Sequence, residues 1–315
     1  MARLREAWAD PVTTAVVGAI VLLGAMLVVT PASGRGTVDP PLVVADLRGQ
    51  ALVVVDPYRP QEARRIALPG GPHELVHLPD GRVAVTLEQS GRVALVDLAT
   101  AALEVHDVGG YPHGIDEHES VLYVTDRTVD AVRRFRLDGW VELAPIAAGG
   151  WPHAVRVLPD GRVVSANAAD STLHIGDMVV AASALSETVA IAPGAEQLAT
   201  AGAYGGHVDV LAVDGSRLAR HHVGGRPVRV EYAPDGTLAA ALSAAGAVAI
   251  IDPAGSMRTV PVGGVPDGLA FSPAGARVYV GDVQRGVVSV VDTSSGELLA
   301  QVDVGESAGA LLFTR

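Results

Sequence analysis

A Gly-Gly pair followed by proline, directly or after one residue, recurs along this chain and constrains its fold more than any other feature. It stands as Gly70-Gly71-Pro72, Gly109-Gly110-Tyr111-Pro112, Gly149-Gly150-Trp151-Pro152, Gly224-Gly225-Arg226-Pro227 and Gly263-Gly264-Val265-Pro266. The prolines fall at 72, 112, 152, 227 and 266, so the steps are 40, 40, 75 and 39 residues. Between landmarks the chain reads as short apolar segments bounded by Gly, Pro, Asp or Ser, the pattern of strands and tight turns. The run from Gly263 to Gly305 is the plainest example, with four such segments. A four-stranded sheet of this size cannot bury both faces alone, so the units must stack on one another.

A period of roughly 40–45 residues with four strands per unit is the pattern of a β-propeller. The step of 75 residues holds two units, with a worn boundary near Ser186-Glu187-Thr188. Six complete units then begin near residues 72, 112, 152, 188, 227 and 266. Three strands precede the first (Leu42–Ala45, Ala51–Val55 and Ala63–Leu68), and one, Ala310–Thr314, follows the last. Three plus one makes a seventh blade closed by strands from both chain ends, which leaves no sheet edge open to aggregation. The expectation is an all-β, seven-bladed β-propeller over residues 42–315.

Composition limits how such blades pack and what they bind. Aromatic residues are only 4% of the chain against 49% hydrophobic overall, so the core must be Val, Ala, Leu and Ile. There is no cysteine, which excludes disulfides and thiolate metal sites. The formal net charge of −12 argues against a nucleic-acid surface.

The N-terminus is organised differently. Residues 1–11 carry Arg3 and Arg5, and Val12 to Val29 runs 18 residues without a charge. As a helix that run spans about 27 Å, close to the roughly 30 Å of a bilayer's hydrocarbon. Residues 12–30 are therefore expected to form a transmembrane signal-anchor or a signal-peptide helix, with 31–41 as linker. The arginines on its N-terminal side keep residues 1–11 cytoplasmic and put the propeller outside the cytoplasm, membrane-bound in a single pass. Small residues around Thr30-Pro31-Ala32 and Ala32-Ser33-Gly34 leave open the alternative of cleavage and secretion.

Leu122-Tyr123-Val124-Thr125-Asp126 and Val278-Tyr279-Val280-Gly281-Asp282 resemble the YVTN repeat. The resemblance extends over about residues 41–315 and is weakest in the fifth blade. It implies a periplasmic or cell-surface propeller with binding or assembly roles, without fixing one activity. Related propellers include lactonases, a streptogramin lyase and electron-transfer subunits, so fold analogy alone does not select among them.

Candidate chemistry gathers on the face that bears the Gly-Gly-x-Pro loops. His73, His113 and His153 directly follow the landmark prolines of three consecutive blades, at the head of the channel-lining strand. Three imidazoles at neighbouring positions of a ring could hold one divalent metal or orient a carboxylate. Glu88, Asp126 and Asn167, at or just after the ends of the second strands of those blades, are expected on the same face. Tyr111 and Trp151, the variable landmark residues, would place aromatic surface beside the histidines. A tandem duplication would also copy histidines whether or not they act. The opposite face carries Pro-Asp-Gly turns such as Pro79-Asp80-Gly81, whose residues serve turn geometry.

No nucleophile motif or phosphate loop is present. Catalytic residues are therefore not assignable, and no cofactor is required by the pattern. Two functions fit. One is a membrane-anchored extracytoplasmic scaffold that binds a protein or small molecule on the Gly-Gly-x-Pro face. The other is a lactonase- or lyase-like enzyme whose histidine-lined channel mouth could use a divalent metal.

Overall fold

The computed structural model describes residues 39–314. The expected N-terminal helix at 12–30 lies outside these residues, and among the described residues no helix is long and apolar enough to cross a membrane.

The described residues form seven four-stranded antiparallel sheets. Blade 1 is the closing sheet. It takes β1 (Leu42–Asp46), β2 (Ala51–Asp56) and β3 (Arg59–Ala67) from the start of the chain, and its innermost strand, Leu311–Phe313, from the end. Blades 2 to 7 each use four consecutive strands, and their innermost strands begin at Leu75, Pro112, Pro152, Ser186, Pro227 and Pro266. β3, the outermost strand of blade 1, starts earlier than its apolar residues suggest, because the polar run Arg59–Arg65 still pairs with β2 along an exposed outer edge.

Burial explains the sequence pattern of each blade. The second and third strands are covered on both faces by neighbouring blades, so Leu238–Leu242 and Ala247–Ile251 are apolar and buried throughout. Outermost strands such as Leu103–Asp107 are mostly exposed and correspondingly polar. The core is divided into seven clusters, one between each pair of adjacent blades. Val83, Val85 and Leu87 of blade 2 pack on Leu52 and Ile66 of blade 1, for example, and Val278 and Val280 of blade 7 pack on Ala239 and Ala241 of blade 6. Each fully buried Val or Leu contributes about 1.5–3 kcal/mol. The closely spaced sheets leave more room for Ala and Val than for rings.

The ring is closed by register and by two buried carboxylates. Leu42 pairs with Phe313 and Val44 with Leu311, while Gly309 N donates to Ala45 O and Thr314 N to Pro41 O. Asp46 accepts from Ser307 N at 2.9 Å and from Arg65 Nη2 at 2.9 Å, tying β1 to the segment that leads into the last strand. Asp39 accepts from Tyr279 Oη at 2.7 Å and Arg277 Nη1 at 2.9 Å, fastening the other end of β1 to blade 7.

Candidate functional site at the channel mouth

The landmark prolines bring the chain from the outer strand of one blade to the channel strand of the next. His73, His113 and His153 therefore arrive side by side. Their rings lie in series, each tilted to the next by 51–52°, with centroids 4.0 Å apart between His73 and His113 and 3.8 Å between His113 and His153. The second strand of each preceding blade holds them from behind. Thr86 Oγ1 donates to His113 O at 2.8 Å, and Thr125 Oγ1 donates to His153 O at 3.3 Å while accepting from Gly114 N at 2.7 Å. Gly114 is required here, because a Cβ would stand 2.6 Å from His153 O. His113 is buried, and its Nδ1 donates to His153 O at 2.9 Å, which fixes its tautomer and leaves Nε2 free.

A cavity of about 280 Å³ opens above these rings, lined by the three histidines together with Glu74, Glu88, Arg127 and Arg229. Glu88 lies between two imidazoles, 3.8 Å from Nε2 of His73 and 3.8 Å from Nε2 of His113, with Arg127 Nη1 at 3.4 Å. His73, Glu88 and His113 each offer one ligand atom, all within 4.8 Å of one another, so this group could hold a metal ion. The sequence suggested the three histidines as ligands. The structure groups Glu88 with two of them, and His153 instead contributes its carbonyl to orienting His113. Three buried polar atoms at the site, His73 Nδ1, Glu88 Oε1 and Arg127 Nε, have no hydrogen-bond partner among the described residues.

Local charge separates the three imidazoles. Burial disfavours protonated His73, but Glu74, Glu88 and Asp267 outweigh it and hold its pKa above the ordinary value. Burial, reinforced by the charges of His73 and Arg127, keeps His113 and His153 well below that value, so both rings are neutral. Burial also pushes the Glu88 carboxyl up, against the pull of His73 and Arg127.

Asp126 and Asn167 do not line the cavity. Asp126 accepts from Tyr111 N at 3.1 Å and from Thr128 N at 2.9 Å, fastening the landmark loop to the end of the second strand. Asn167, wholly buried, bonds Ser165 and Thr172 and lies against Gly149. Tyr111 and Trp151 form a rim, with the Arg127 guanidinium 5.4 and 5.0 Å from their ring centroids.

Glu88 differs from Asp126 because it is one register position further on. Strand pairing sets Ile115 against Val124 in blade 3 and Leu75 against Val85 in blade 2, which makes Leu87 the counterpart of Asp126 and Glu88 the counterpart of Arg127. That position turns inward, so the sequence reading missed Arg127 by one residue. It also missed Glu74 and Arg229, which occupy one repeat position, two after the landmark proline, on blades 2 and 6. Arg229 donates to both Glu74 oxygens, at 3.0 and 2.5 Å, and to Asp267 Oδ1 at 3.2 Å. This pair spans the channel and forms the floor of the cavity; below it a second cavity of about 450 Å³ opens toward the other face.

No family model matches the chain, and no curated protein matches it. Solved structures of similar fold include hydrazine synthase of Kuenenia stuttgartiensis, with 18% identity, TM-score 0.68 and coverage of 76% of this chain and 88% of that one. Virginiamycin B lyase from Staphylococcus aureus aligns at 12% identity and TM-score 0.66 over 78% of this chain and 92% of its own. A Bacteroides fragilis protein provisionally assigned as a 6-phosphogluconolactonase aligns at 15% identity and TM-score 0.70, over 91% of this chain and 100% of its own. At these identities the likeness establishes the propeller fold alone.

Proposed function

We propose that this chain is an extracytoplasmic propeller of the YVTN-repeat kind, held at the membrane by its N-terminal apolar segment, that binds a small polar molecule at the channel mouth and opens a cyclic ester. The observation that carries this reading is the cavity over His73, Glu88, His113 and Arg127, where buried polar atoms stand without partners. A buried donor or acceptor left unpaired costs about 1–3 kcal/mol, a cost that a bound polar ligand would remove. The lyase and lactonase names among the structural neighbours supply two reaction classes to test. His153, held neutral, can accept a proton in either, and Arg127 can steady a developing oxyanion.

The test is incubation of the full chain with a panel of lactones and cyclic depsipeptides, read by mass spectrometry. Hydrolysis adds one water to the product, whereas elimination opens the ring at unchanged mass. Conversion should fall about 10²–10⁴-fold in His153→Gln. If no ring is opened, or if His153→Gln and Arg127→Met convert as well as the parent, the enzymatic reading fails.

Trp151, 43% exposed at the rim, favours a second reading in which the same face docks a protein. Pull-down from the native envelope with Tyr111→Ala/Trp151→Ala should then lose the partner that the parent chain retains.

A further inference from the structure

We propose that His73, Glu88 and His113 form a site for a divalent transition-metal ion, of the two-imidazole, one-carboxylate kind suited to zinc, with open coordination positions facing the cavity. The argument begins with ring orientation. His113 donates its Nδ1 proton to the His153 carbonyl at 2.9 Å, and His73 directs Nδ1 at the Glu74 carboxylate, 3.6 Å away. In both rings the nitrogen nearest Glu88 is therefore Nε2, at 3.8 Å from a carboxylate oxygen in each case. A metal-bound histidine characteristically turns its other nitrogen to a carbonyl or carboxylate. His113 makes such a hydrogen bond to a carbonyl, while His73 faces the Glu74 carboxylate at 3.6 Å, longer than a hydrogen bond. The two 3.8 Å approaches run to different Glu88 oxygens, and the three ligand atoms lie within 4.8 Å of one another. Zinc bonds of about 2.0–2.2 Å set tetrahedral ligand atoms roughly 3.3–3.5 Å apart, and so require side-chain rotations that draw the group inward by up to about 1.5 Å.

The surroundings support the same assignment. Glu74 is itself locked by two hydrogen bonds from Arg229, so the acceptor behind His73 is rigid. Glu88 is 8% exposed, and its Oε1 has no hydrogen-bond donor, only the Arg127 guanidinium as an ion pair at 3.4 Å, which leaves a buried carboxylate with room for a closer cation. Glu88 reaches this place because its strand ends in a single 3-10 turn, Glu88–Ser90, that directs it toward the channel. With Glu88 on the metal, Arg127 would be released to meet an anionic group on a ligand bound at the open positions.

The test uses the metal alone and so stands apart from the proposed ring-opening activity. Full-length protein stripped with a chelator is titrated with Zn²⁺ against a chromophoric competitor and, separately, with Co²⁺ in the visible region. The expected result is one ion per chain, a Co²⁺ spectrum of low coordination number, and a rise in melting temperature on adding Zn²⁺. Glu88→Gln and His73→Gln should weaken binding by more than the 10–100-fold typical of losing an outer partner, and Glu74→Gln by about that amount. Substituting His222, whose ring lies 5.0 Å from that of His207 in blade 5, should leave it unchanged. Metal-free melting of each variant separates lost ligation from lost folding. Absence of a stoichiometric ion, or binding that persists in folded Glu88→Gln and His73→Gln, overturns the proposal.

Discussion

Gly264 shows what a single position in the repeat must satisfy. Its φ is +58°, and a Cβ there would overlap the Asp282 carboxylate, which accepts from Val265 N at 3.1 Å. Gly110 and Asp126 repeat this arrangement in blade 3. The second landmark glycine and the acid ending the second strand are therefore one device: the glycine leaves room, and the acid binds the loop's backbone. Gly81 provides the comparison, since its φ is +88° but a Cβ there would meet no atom within 4 Å. We expect Gly81→Ala to lose about 1–2 kcal/mol from the left-handed backbone alone. Gly264→Ala should lose more, because the Asp282 cap must also move. Urea denaturation of the two variants measures the difference, and equal losses would show that the carboxylate imposes no added constraint.

At the level of the strand, the channel is built by contacts between one blade's second strand and the next blade's first. Thr125, wholly buried, joins the Gly114 amide to the His153 carbonyl and so fixes where the imidazole of the following blade stands. Thr86 does the same one blade earlier, between Glu74 N and His113 O. Thr125→Val keeps the shape but strands a buried amide, and should cost about 1–3 kcal/mol in chemical denaturation. The His153 ring should shift in nuclear magnetic resonance while His73, two blades away, stays in place. The strands themselves were readable because short apolar runs, turn residues and the proline spacing are local properties of segments such as Pro112–His118 and Val121–Asp126. The inward turn of Glu88 and Arg127 was not, because register between adjacent strands decides which residue follows the last paired one.

Across the whole molecule, the Glu74–Arg229 pair joins positions 155 residues apart on opposite sides of the ring. Glu74→Gln leaves Arg229 with Asp267 as its remaining counter-charge, so it should destabilise the propeller at neutral pH by less than the roughly 3–5 kcal/mol of a fully unpaired buried charge. Combining it with Arg229→Met should recover part of that loss, and the double-mutant cycle isolates the coupling. Acid should narrow the gap between the parent and Glu74→Gln. Burial raises the Glu74 pKa, but Arg229 and His73 outweigh it and hold the carboxyl well below its ordinary value of 4.5. The unfolded chain thus binds this proton first as pH falls. The ionised Glu74 stabilises fully above about 4.5, and that contribution disappears as pH falls further toward the folded-state pKa. Melting curves from pH 7 to pH 3 check this, and a gap that stays constant would exclude the pair as its source.

The number of blades, a closing strand within Ala310–Thr314 (Leu311–Phe313 in the structure) and the row of His73, His113 and His153 followed from the sequence alone, because a repeat carries its own register and every copy places its residues alike. Only the tertiary structure decided that Glu88 joins two of those histidines, that Asp126 and Asn167 serve their own loops, and that Glu74 meets Arg229 across the channel. The reason is physical. A repeat pattern specifies where each blade points its residues, but contacts between blades depend on the curvature of the closed ring and on which side chains its centre forces together.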